Sequence, residues 1–451
     1  MAPEASRWRW LALPIALLAL FLVLRSEDSR GASVVPARPG RIQVRFWHMW
    51  TAEWKTVVDR IVARFNEEQS TYEVVALSVP PEGAESKLLL ATVGGDPPDV
   101  MAQWQNVIPT WAKSGLLIPL DELMSQADRE TFAQQAYPVV KKLGVYRGRH
   151  YGLAIGLNAF ACYYRVDHLR EAGLTPADLP TTLEGLVELG QKLNRFDAKG
   201  NLMRVGFMPQ WFQMYAPIFG GGFYDDARGE LTLSTPANLR ALSYLSAQRE
   251  VLGRDRVTRF DSAQNAGFGL EWPFVTGSLS ITVDGQWRVE QLAKYAPRLE
   301  YGVMAVPPPS GGKAMAGFAN GNFMLVPRGA KHAAGAWAFI RFWSGLSNPN
   351  AAAELYTWGG WLPPFSGVAE APAFRRYLER YPAFRAFVEL LPSQNQQTLP
   401  PVPFQTFLLD RIKAADDAAM RGLLSPQAAL ERLEREVRDE RQRQHSVGAD
   451  E

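Results

Sequence analysis

The sequence predicts an α/β protein built from two lobes. Residues 42–46 alternate apolar and polar side chains, which is typical of a strand. An amphipathic segment follows, and residues 72–79 then form a nearly continuous apolar run. Together these segments indicate a β-α-β unit whose second strand is covered on both faces. At 451 residues the chain is too long for one hydrophobic core, so two lobes are expected.

The helix of this unit is predicted to begin after Thr51, whose side chain can cap the first turn. Its apolar side chains recur at helical spacing and form one face: Trp54, Val57, Val58, Ile61, Val62 and Phe65. The turn before the helix is aromatic, since it contains Trp47, His48 and Trp50. Open α/β sheets bind their ligands at the carboxyl ends of strands, so this turn is a candidate binding segment.

The composition argues against several classes of function. A net charge of +2 gives no global electrostatic reason to expect a nucleic-acid partner. The five histidines offer no metal-ligand pair at helical spacing, and the sequence has no phosphate loop and no nucleophile elbow. We therefore expect no metal, no cofactor and no nucleic acid.

The first 40 residues are predicted to be a signal or anchor segment followed by a linker. Arg7 and Arg9 precede an apolar run over residues 10–24, which is the pattern of an export signal. The run is shorter than the ~20 residues that comfortably span a bilayer. We expect the folded part to be exported to the periplasm or the cell surface, with the segment either cleaved or kept as a tether.

Eight pieces of sequence occur in an order that is typical of one family: FWHMW, GGDPPDV, AKSGLLIPLDEL, YGLAIGLNAFACYYRVDHLREAGL, GSLSITVDGQW, YGVMAVPPP, GNFMLVPRGAKHAAGAWAFIRF and GGWLPP. In this order they resemble the carbohydrate-type extracellular solute-binding proteins of ATP-driven importers, which include maltose- and glycerol-phosphate-binding proteins. The resemblance covers roughly residues 41–440. The chain departs from the family in having Tyr164-Arg165 where Tyr-Asn is usual, and in lacking the lipid-attachment cysteine of many relatives.

The resemblance implies a periplasmic-binding-protein fold, with two α/β lobes joined by hinge crossovers and a ligand cleft between them. Lobe 1 would comprise residues 41–155 plus 303–356, and lobe 2 residues 156–302 plus 357–445. Apolar segments near Asn158 and Trp361 are the predicted crossings. The implied function is that of a monomeric, non-enzymatic binding protein. It would capture a carbohydrate, expected to be an oligosaccharide, and deliver it to the permease of an ABC importer.

Candidate ligand-binding residues are aromatic rings, which cover the C–H faces of a sugar, and polar groups, which meet its hydroxyls. The candidates are Trp47, His48, Trp50, Trp104, Asn158, Trp211, Asp284, Trp287, Asn320, Gly321, Trp358 and Trp361. Each loop tryptophan could instead belong to a core, as is predicted for the helical Trp54, Trp337 and Trp343. Asp284 could instead stabilise the turn before Gly285. His48 could likewise have a role in its own turn or in supporting other site residues, without touching the ligand. If the candidates are right, Trp361→Ala or Trp211→Ala weakens sugar binding and leaves the melting temperature nearly unchanged.

Three alternative hypotheses are also consistent with the sequence. An exported sensor would use the same lobes to present a ligand-dependent surface to a signalling partner. A glycosidase could use Glu271 and Asp284 as its two carboxyl groups. A glycerol-phosphate ester could replace the sugar as ligand, because no cluster of Arg or Lys at the cleft positions argues clearly for or against it.

Overall fold

The structure is a computed structural model, and it describes residues 38–80, 82–264 and 269–447. The predicted signal or anchor segment therefore lies almost entirely outside the described residues, and its cleavage stays a prediction. Within the described ranges, no helix combines the length and the apolar character needed to cross a lipid bilayer.

The strands and helices alternate along the chain. The strands are β1 (Ile42–His48), β2 (Tyr72–Ser78), β3 (Val100–Trp104), β4 (Val145–Tyr146), β5 (Arg149–His150), β6 (Gly152–Arg165), β7 (Arg195–Phe196), β8 (Leu202–Arg204), β9 (Tyr224–Asp225), β10 (Glu230–Leu231), β11 (Ile281–Gly285), β12 (Tyr301–Met304), β13 (Gly317–Leu325) and β14 (Gln396–Gln397). The helices are α1 (Ala52–Glu68), α2 (Ala84–Val93), α3 (Ile108–Lys113), α4 (Gln126–Gln135), α5 (Val166–Glu171), α6 (Leu183–Leu193), α7 (Phe212–Ile218), α8 (Pro236–Leu252), α9 (Arg254–Ala263), α10 (Pro273–Thr276), α11 (Trp287–Tyr295), α12 (Ala333–Ser344), α13 (Pro349–Gly359), α14 (Ser366–Glu370), α15 (Pro372–Arg380), α16 (Arg385–Leu390), α17 (Gln405–Met420) and α18 (Pro426–Val447).

The predicted β-α-β unit is confirmed as β1, α1 and β2, with β1 and β2 parallel and Ile42 opposite Tyr72. Helix α1 buries most of the predicted apolar face: Val58, Ile61, Val62 and Phe65. Thr51 does precede the helix, but its side chain makes no capping hydrogen bond. Ala52 has a left-handed φ of 49°, so the chain does not enter the helix in the usual capping geometry.

The central sheet has the strand order β11-β6-β13-β3-β1-β2, with β12 also paired to β6 and β14 to β13. Strand β1 is parallel to both β2 and β3, whereas β13 is antiparallel to β3 and to β6. The prediction that β2 is covered on both faces is wrong. This strand lies at the edge of the sheet, and Leu77 is 39% exposed, because helices cover the edge less completely than the middle.

Strand β6 connects two hydrophobic cores. Its first half pairs with β13, and its second half pairs with β11 and β12. Leu153 and Ala159 belong to the first core, which also takes side chains from β1, β3, α12, α13 and α15. Cys162 belongs to the second core, which is formed largely by α6, α7, α8, α17 and α18. The apolar run predicted as a crossing near Asn158 is this strand.

Strand β13 makes a second connection beside β6, since Phe318 packs in the second core and Phe323 in the first. Near the other predicted crossing, Trp361 and Leu362 pack in the first core. There Leu362 forms an isolated bridge to Leu157 of β6. The lobe boundaries given above stay predictions.

The contact between β6 and β13 depends on glycine at position 321. A Cβ atom there would lie 2.5 Å from the backbone oxygen of Gly156, whereas a Cβ at Gly156 would have Trp361 Cγ as its nearest neighbour at 3.4 Å. We therefore expect Gly321→Ala to lower the free energy of unfolding by about 1–3 kcal/mol, because backbone must move to relieve the clash.

Urea denaturation of the full chain measures this difference. Gly156→Ala is the matched control, since it adds the same methyl group to the opposite strand at ordinary contact distance. Equal denaturation midpoints for the two variants would show that the close approach at Gly321 does not constrain the strands.

Candidate functional site

One face of the sheet carries amides and aromatic rings where the two cores meet. Asn158 lies directly opposite Asn320, and Trp104 directly opposite Asn322, so each pair projects to one side of the sheet. Phe160 follows Asn158 by two residues and lies on the same side. We call this set, Trp104, Asn158, Phe160, Asn320 and Asn322, the amide face. Its amides and Phe160 are half-buried and Trp104 is 54% exposed, which leaves polar and aromatic atoms available at the surface.

A chain of hydrogen bonds holds the amides in place. Asn158 Nδ2 donates to Asn320 Oδ1 at 2.9 Å, and Gln286 Nε2 donates to Asn158 Oδ1 at 3.0 Å. Gln286 is 1% exposed and also bonds the backbone of β6 on both sides of Asn158. Within the described residues, the Asn320 NH₂ group and the Asn322 side chain have no protein partner. These groups can therefore bond the hydroxyls of a ligand.

Two tryptophans pack against Phe160 of the amide face. The Trp211 ring centroid lies 5.6 Å from that of Phe160 with an interplanar angle of 77°, and the Trp287 centroid lies 5.8 Å away at 89°. Trp211 is 41% exposed, and Trp287 is half-buried. Both rings thus retain surface that an apolar part of a ligand could cover.

The backbone of Trp211 is strained, and a carboxylate from a distant helix supports it. Trp211 has φ 68° and ψ 88°, a left-handed conformation that a bulky side chain rarely adopts. The next residue, Phe212, donates its backbone N–H to Asp416 Oδ2 of α17 at 3.1 Å. This bond caps the start of α7, where Trp211 supplies no side-chain cap. Strain of this kind is retained when the surrounding structure fixes it, and it clusters at ligand sites.

Asp284 has both carboxylate oxygens engaged inside the protein. Its Oδ1 accepts the Gly285 N–H at 2.8 Å, and its Oδ2 accepts from Arg288 Nε at 2.8 Å. Burial is the main cause that raises the pKa of Asp284 above its ordinary value, and the Arg288 charge opposes it. Asp284, Arg288 and Trp211 also border a cavity of about 300 Å³ on the second-core side. The hydrogen bond from the Gly285 N–H thus supports the alternative that Asp284 stabilises its own turn.

Four tryptophans form a stack beside the amide face. Trp54 stacks on Trp361, Trp361 on Trp343, and Trp343 on Trp50, with centroid distances of 5.6, 5.7 and 5.7 Å. Trp343 is fully buried, and Trp361 is 5% exposed. The stack touches the sheet through Gly156, where a Cβ atom would lie 3.4 Å from Trp361. It therefore forms an apolar wall of the first core next to the amide face.

The remaining aromatic candidates also lie in or against the first core. Trp47 is half-buried against it, and Trp358 has the guanidinium of Arg60 3.7 Å above its ring. His48 is 1% exposed between the rings of Phe46 and Trp50. Burial lowers the pKa of His48 to about 4, so its imidazole is neutral at pH 7.

The structure thus brings together the candidates Asn158, Asn320, Trp211 and Trp287, with Trp104 on the same face. Gly321 lies in β13 between the two half-buried asparagines Asn320 and Asn322, and Asp284 precedes the buried Gln286 by two residues. Sequence reasoning missed four participants: Phe160, Gln286, Asn322 and Asp416. The spacing of Asn320 and Asn322 in a strand was a usable signal, because residues two apart share a face. Nothing in the sequence pointed to Asp416.

Trp361 is now expected to contribute to stability, contrary to the expectation from sequence. Trp361→Ala removes a ring that is 5% exposed, so we expect the free energy of unfolding to fall by about 3–5 kcal/mol. Thermal and urea unfolding measure this loss. Trp104→Ala is the control, because Trp104 is 54% exposed and its removal should change stability little. A Trp361→Ala protein as stable as wild type would contradict the packing described here.

Asp416 is expected to make stability depend on pH. Burial raises the pKa of Asp416 from 3.8 to about 6 in the folded protein. The folded state therefore binds the Asp416 proton more tightly than the unfolded state does. The stability that this proton contributes is lost as the pH rises from 3.8 to about 6. Asp416→Asn keeps an oxygen for the Phe212 N–H but cannot ionise. The free energy of unfolding of the variant minus that of wild type should therefore rise by about 1–3 kcal/mol from pH 4 to pH 6.5.

Urea unfolding at several pH values tests this difference. Taking the difference cancels groups common to both proteins, including His48, whose lowered pKa makes wild type less stable as the pH falls through the same range. A difference that stays constant between pH 4 and 6.5 would show that Asp416 does not carry the raised pKa.

Comparisons with known proteins agree with this architecture. The family model described as bacterial extracellular solute-binding protein matches residues 60–386. The maltotriose-binding protein of Pyrococcus abyssi is 22% identical over 353 residues, which is 75% of this chain and 70% of the relative. The sn-glycerol-3-phosphate-binding periplasmic protein of Escherichia coli O1:K1 is 22% identical over 453 residues, which is 93% of each chain.

Solved structures show the same fold. A structure of CpMnBP1 with mannotriose bound has a TM-score of 0.73 at 23% identity and covers 87% of this chain and 98% of its own. The sugar-binding protein MalE from Xanthomonas citri has a TM-score of 0.73 at 21% identity, covering 91% of this chain and 100% of its own. The chain therefore has the two-lobed α/β fold of maltose-binding-protein-type structures. The family match extends over more than half of its length, and the protein belongs to the bacterial extracellular solute-binding proteins.

Proposed function

We propose that this protein captures a carbohydrate, specifically an oligosaccharide, on the amide face and delivers it to the permease of an ABC importer without catalysis. The observation that carries the proposal is the Gln286–Asn158–Asn320 chain beside the rings of Trp211 and Trp287. Rings cover the C–H faces of a sugar, and amides both donate to and accept from its hydroxyls. The names of relatives support this ligand class, since they include maltotriose, maltooligosaccharide and mannotriose.

The electrostatics of the amide face favour a neutral ligand over a phosphate ester. Its polar groups are the uncharged side chains of Asn158, Asn320 and Asn322, supported by Gln286. The nearby Arg288 is engaged with the Asp284 carboxylate at 2.8 Å. A phosphate would need charge-assisted donors of the kind that Arg and Lys provide. A neutral oligosaccharide therefore fits this face better than a glycerol-phosphate ester.

Ligand capture would work by closing the two lobes. Strands β6 and β13 carry Asn158 and Asn320 at the place where the cores join. Trp211 approaches from the second-core helix α7, whereas Trp104 comes from first-core strand β3. A sugar that touches both groups would bind the closed arrangement more tightly than an open one and so shift the population towards closure. The permease would then distinguish the loaded form by its closed shape.

Export remains part of this proposal. The apolar run over residues 10–24 would direct the chain out of the cytoplasm, and retention of that run would tether the protein at the membrane. Because the solute-binding family is extracellular, the folded residues would meet their sugar outside the cytoplasmic membrane.

We expect the neutral trisaccharides maltotriose or mannotriose to raise the melting temperature of the full chain, and glycerol 3-phosphate not to. A ligand at 100 times its dissociation constant stabilises the native state by about 2.7 kcal/mol. Trp211→Ala should raise the dissociation constant about 5- to 30-fold in calorimetry, because loss of one ring contact is worth about 1–2 kcal/mol.

Phe196→Ala is the matched control, because Phe196 is an aromatic residue 49% exposed on β7, outside the amide face. It should bind sugar as wild type does. An unchanged dissociation constant in Trp211→Ala would remove this ring from the site. Stabilisation by glycerol 3-phosphate alone would overturn the carbohydrate assignment.

A further inference from the structure

A second groove, of about 570 Å³, lies between the two cores and shares no residue with the amide face. The first-core side is formed by Lys113 at the end of α3 and by the hairpin of β4 and β5. The second-core side is formed by Tyr224, by residues 401–404 and by α18. We call it the basic groove. Its volume falls within the roughly 300–1,000 Å³ typical of small-molecule sites.

The charged side chains that line the basic groove are all cationic: Lys113, Arg147 and Arg441. Among its lining residues none is acidic. Lys113 Nζ donates to the neutral Gln444 Oε1 at 2.6 Å, so its charge is not balanced by that contact. The nearby Asp226 pairs with Lys142 at 2.5 Å. Lys113 and Arg147 therefore offer positive charge at the first-core side of the groove, where an anion can bind.

Arg147 occupies its position at a conformational cost. The pairs Val145–His150 and Tyr146–Arg149 leave Arg147 and Gly148 as a two-residue hairpin loop, with φ values of 48° and 73°. Such a turn needs positive φ at both residues, and Asn or Asp is favoured at the first. A long β-carbon-bearing side chain is strained there. The turn places the Arg147 side chain at the edge of the groove.

The floor of the basic groove is aromatic and apolar. Tyr146 is 6% exposed, Tyr224 is half-buried, and Phe404 and Leu231 complete the lining. The Arg147 guanidinium carbon lies 5.5 Å from the centroid of the Tyr146 ring, so the cation is held close to the floor. A ligand that fits has a body with C–H faces and at least one anionic group.

We propose that the basic groove binds a small anionic saccharide, with its carboxylate or phosphate group held by Lys113 and Arg147. Arginine and lysine are the side chains that form charge-assisted bonds to these groups, and the half-buried Tyr224 ring can cover the ring body of a sugar. Uronic acids and sugar phosphates share this chemistry. The site is separate from the neutral amide face and does not depend on the function proposed for that face.

Occupation of the basic groove would couple to the arrangement of the lobes. Direct bonds already cross this boundary, since Thr110 Oγ1 donates to the Pro403 carbonyl at 2.7 Å and Asn106 Nδ2 donates to Thr406 Oγ1 at 3.1 Å. A ligand that contacts Lys113 on one side and Tyr224 on the other binds only while the two sides stay together. Such a ligand therefore stabilises the arrangement of the two sides that the structure shows.

The test is calorimetry of the full chain at low ionic strength with glucuronic acid, glucose 6-phosphate and inorganic phosphate. We expect saturable binding of at least one of the two sugar anions. Arg147→Asn should weaken that binding at least tenfold without lowering the melting temperature, because asparagine suits the turn. Lys113→Gln should weaken it in the same direction. Arg170→Gln removes a positive charge from an exposed site on α5 and should leave binding unchanged.

Binding of glucuronic acid alone would identify a carboxylate ligand, and binding of glucose 6-phosphate alone a phosphate ligand; either result supports the groove. Failure of both sugar anions to bind, or equal affinity in Arg147→Asn and wild type, would overturn the proposal. So would binding of inorganic phosphate that all variants share. Neutral trisaccharide binding to Arg147→Asn, measured in parallel, reports the amide face separately, so the failure of one site is distinguishable from failure of the other.

Discussion

The close approach of β6 and β13 is the constraint on which the rest of the structure depends. These two strands run through both cores and pair from Ala159–Ala319 to Gly152–Leu325. Their approach leaves no room for a side chain at Gly321. Because the register is set there, Asn158 faces Asn320, and a shift of β13 by one residue would place the two amides on opposite sides of the sheet. The same pairing thus joins the cores and assembles the polar part of the candidate site.

The buried Gln286 side chain orients the amides of the amide face. A buried amide without partners costs free energy, and Gln286 avoids that cost by bonding the β6 backbone and the Asn158 side chain. The Asn158 side chain is therefore oriented to donate a hydrogen bond to Asn320. In this way the buried Gln286 determines the orientation of both amides at the surface. On the second-core side, Asp416 fixes Trp211 through the start of α7. Both halves of the face are therefore supported by residues that a ligand would not touch.

The sequence predicted local structure better than it predicted the site. The β1-α1-β2 unit and the long β6 followed from periodicity, because each is defined by neighbours in the chain. Asn158 and Asn320 were identified individually, but their hydrogen bond joins residues far apart in sequence and could not be derived from spacing. Tryptophans were the hardest to place. Trp211 and Trp361 both come from aromatic loop segments, yet one is exposed beside Phe160 and the other is buried in a stack, and only tertiary packing separates them.

The stack of Trp54, Trp361, Trp343 and Trp50 also gives the chain a built-in optical probe. Four indoles at centroid separations below 6 Å interact electronically, and their asymmetric packing produces near-ultraviolet circular dichroism of the kind that disappears when tertiary packing is lost. Since Trp361 lies against Gly156 of β6, the signal originates next to the strand that joins the two cores. Rearrangement of that strand would be recorded by the protein's own chromophores, with no added label.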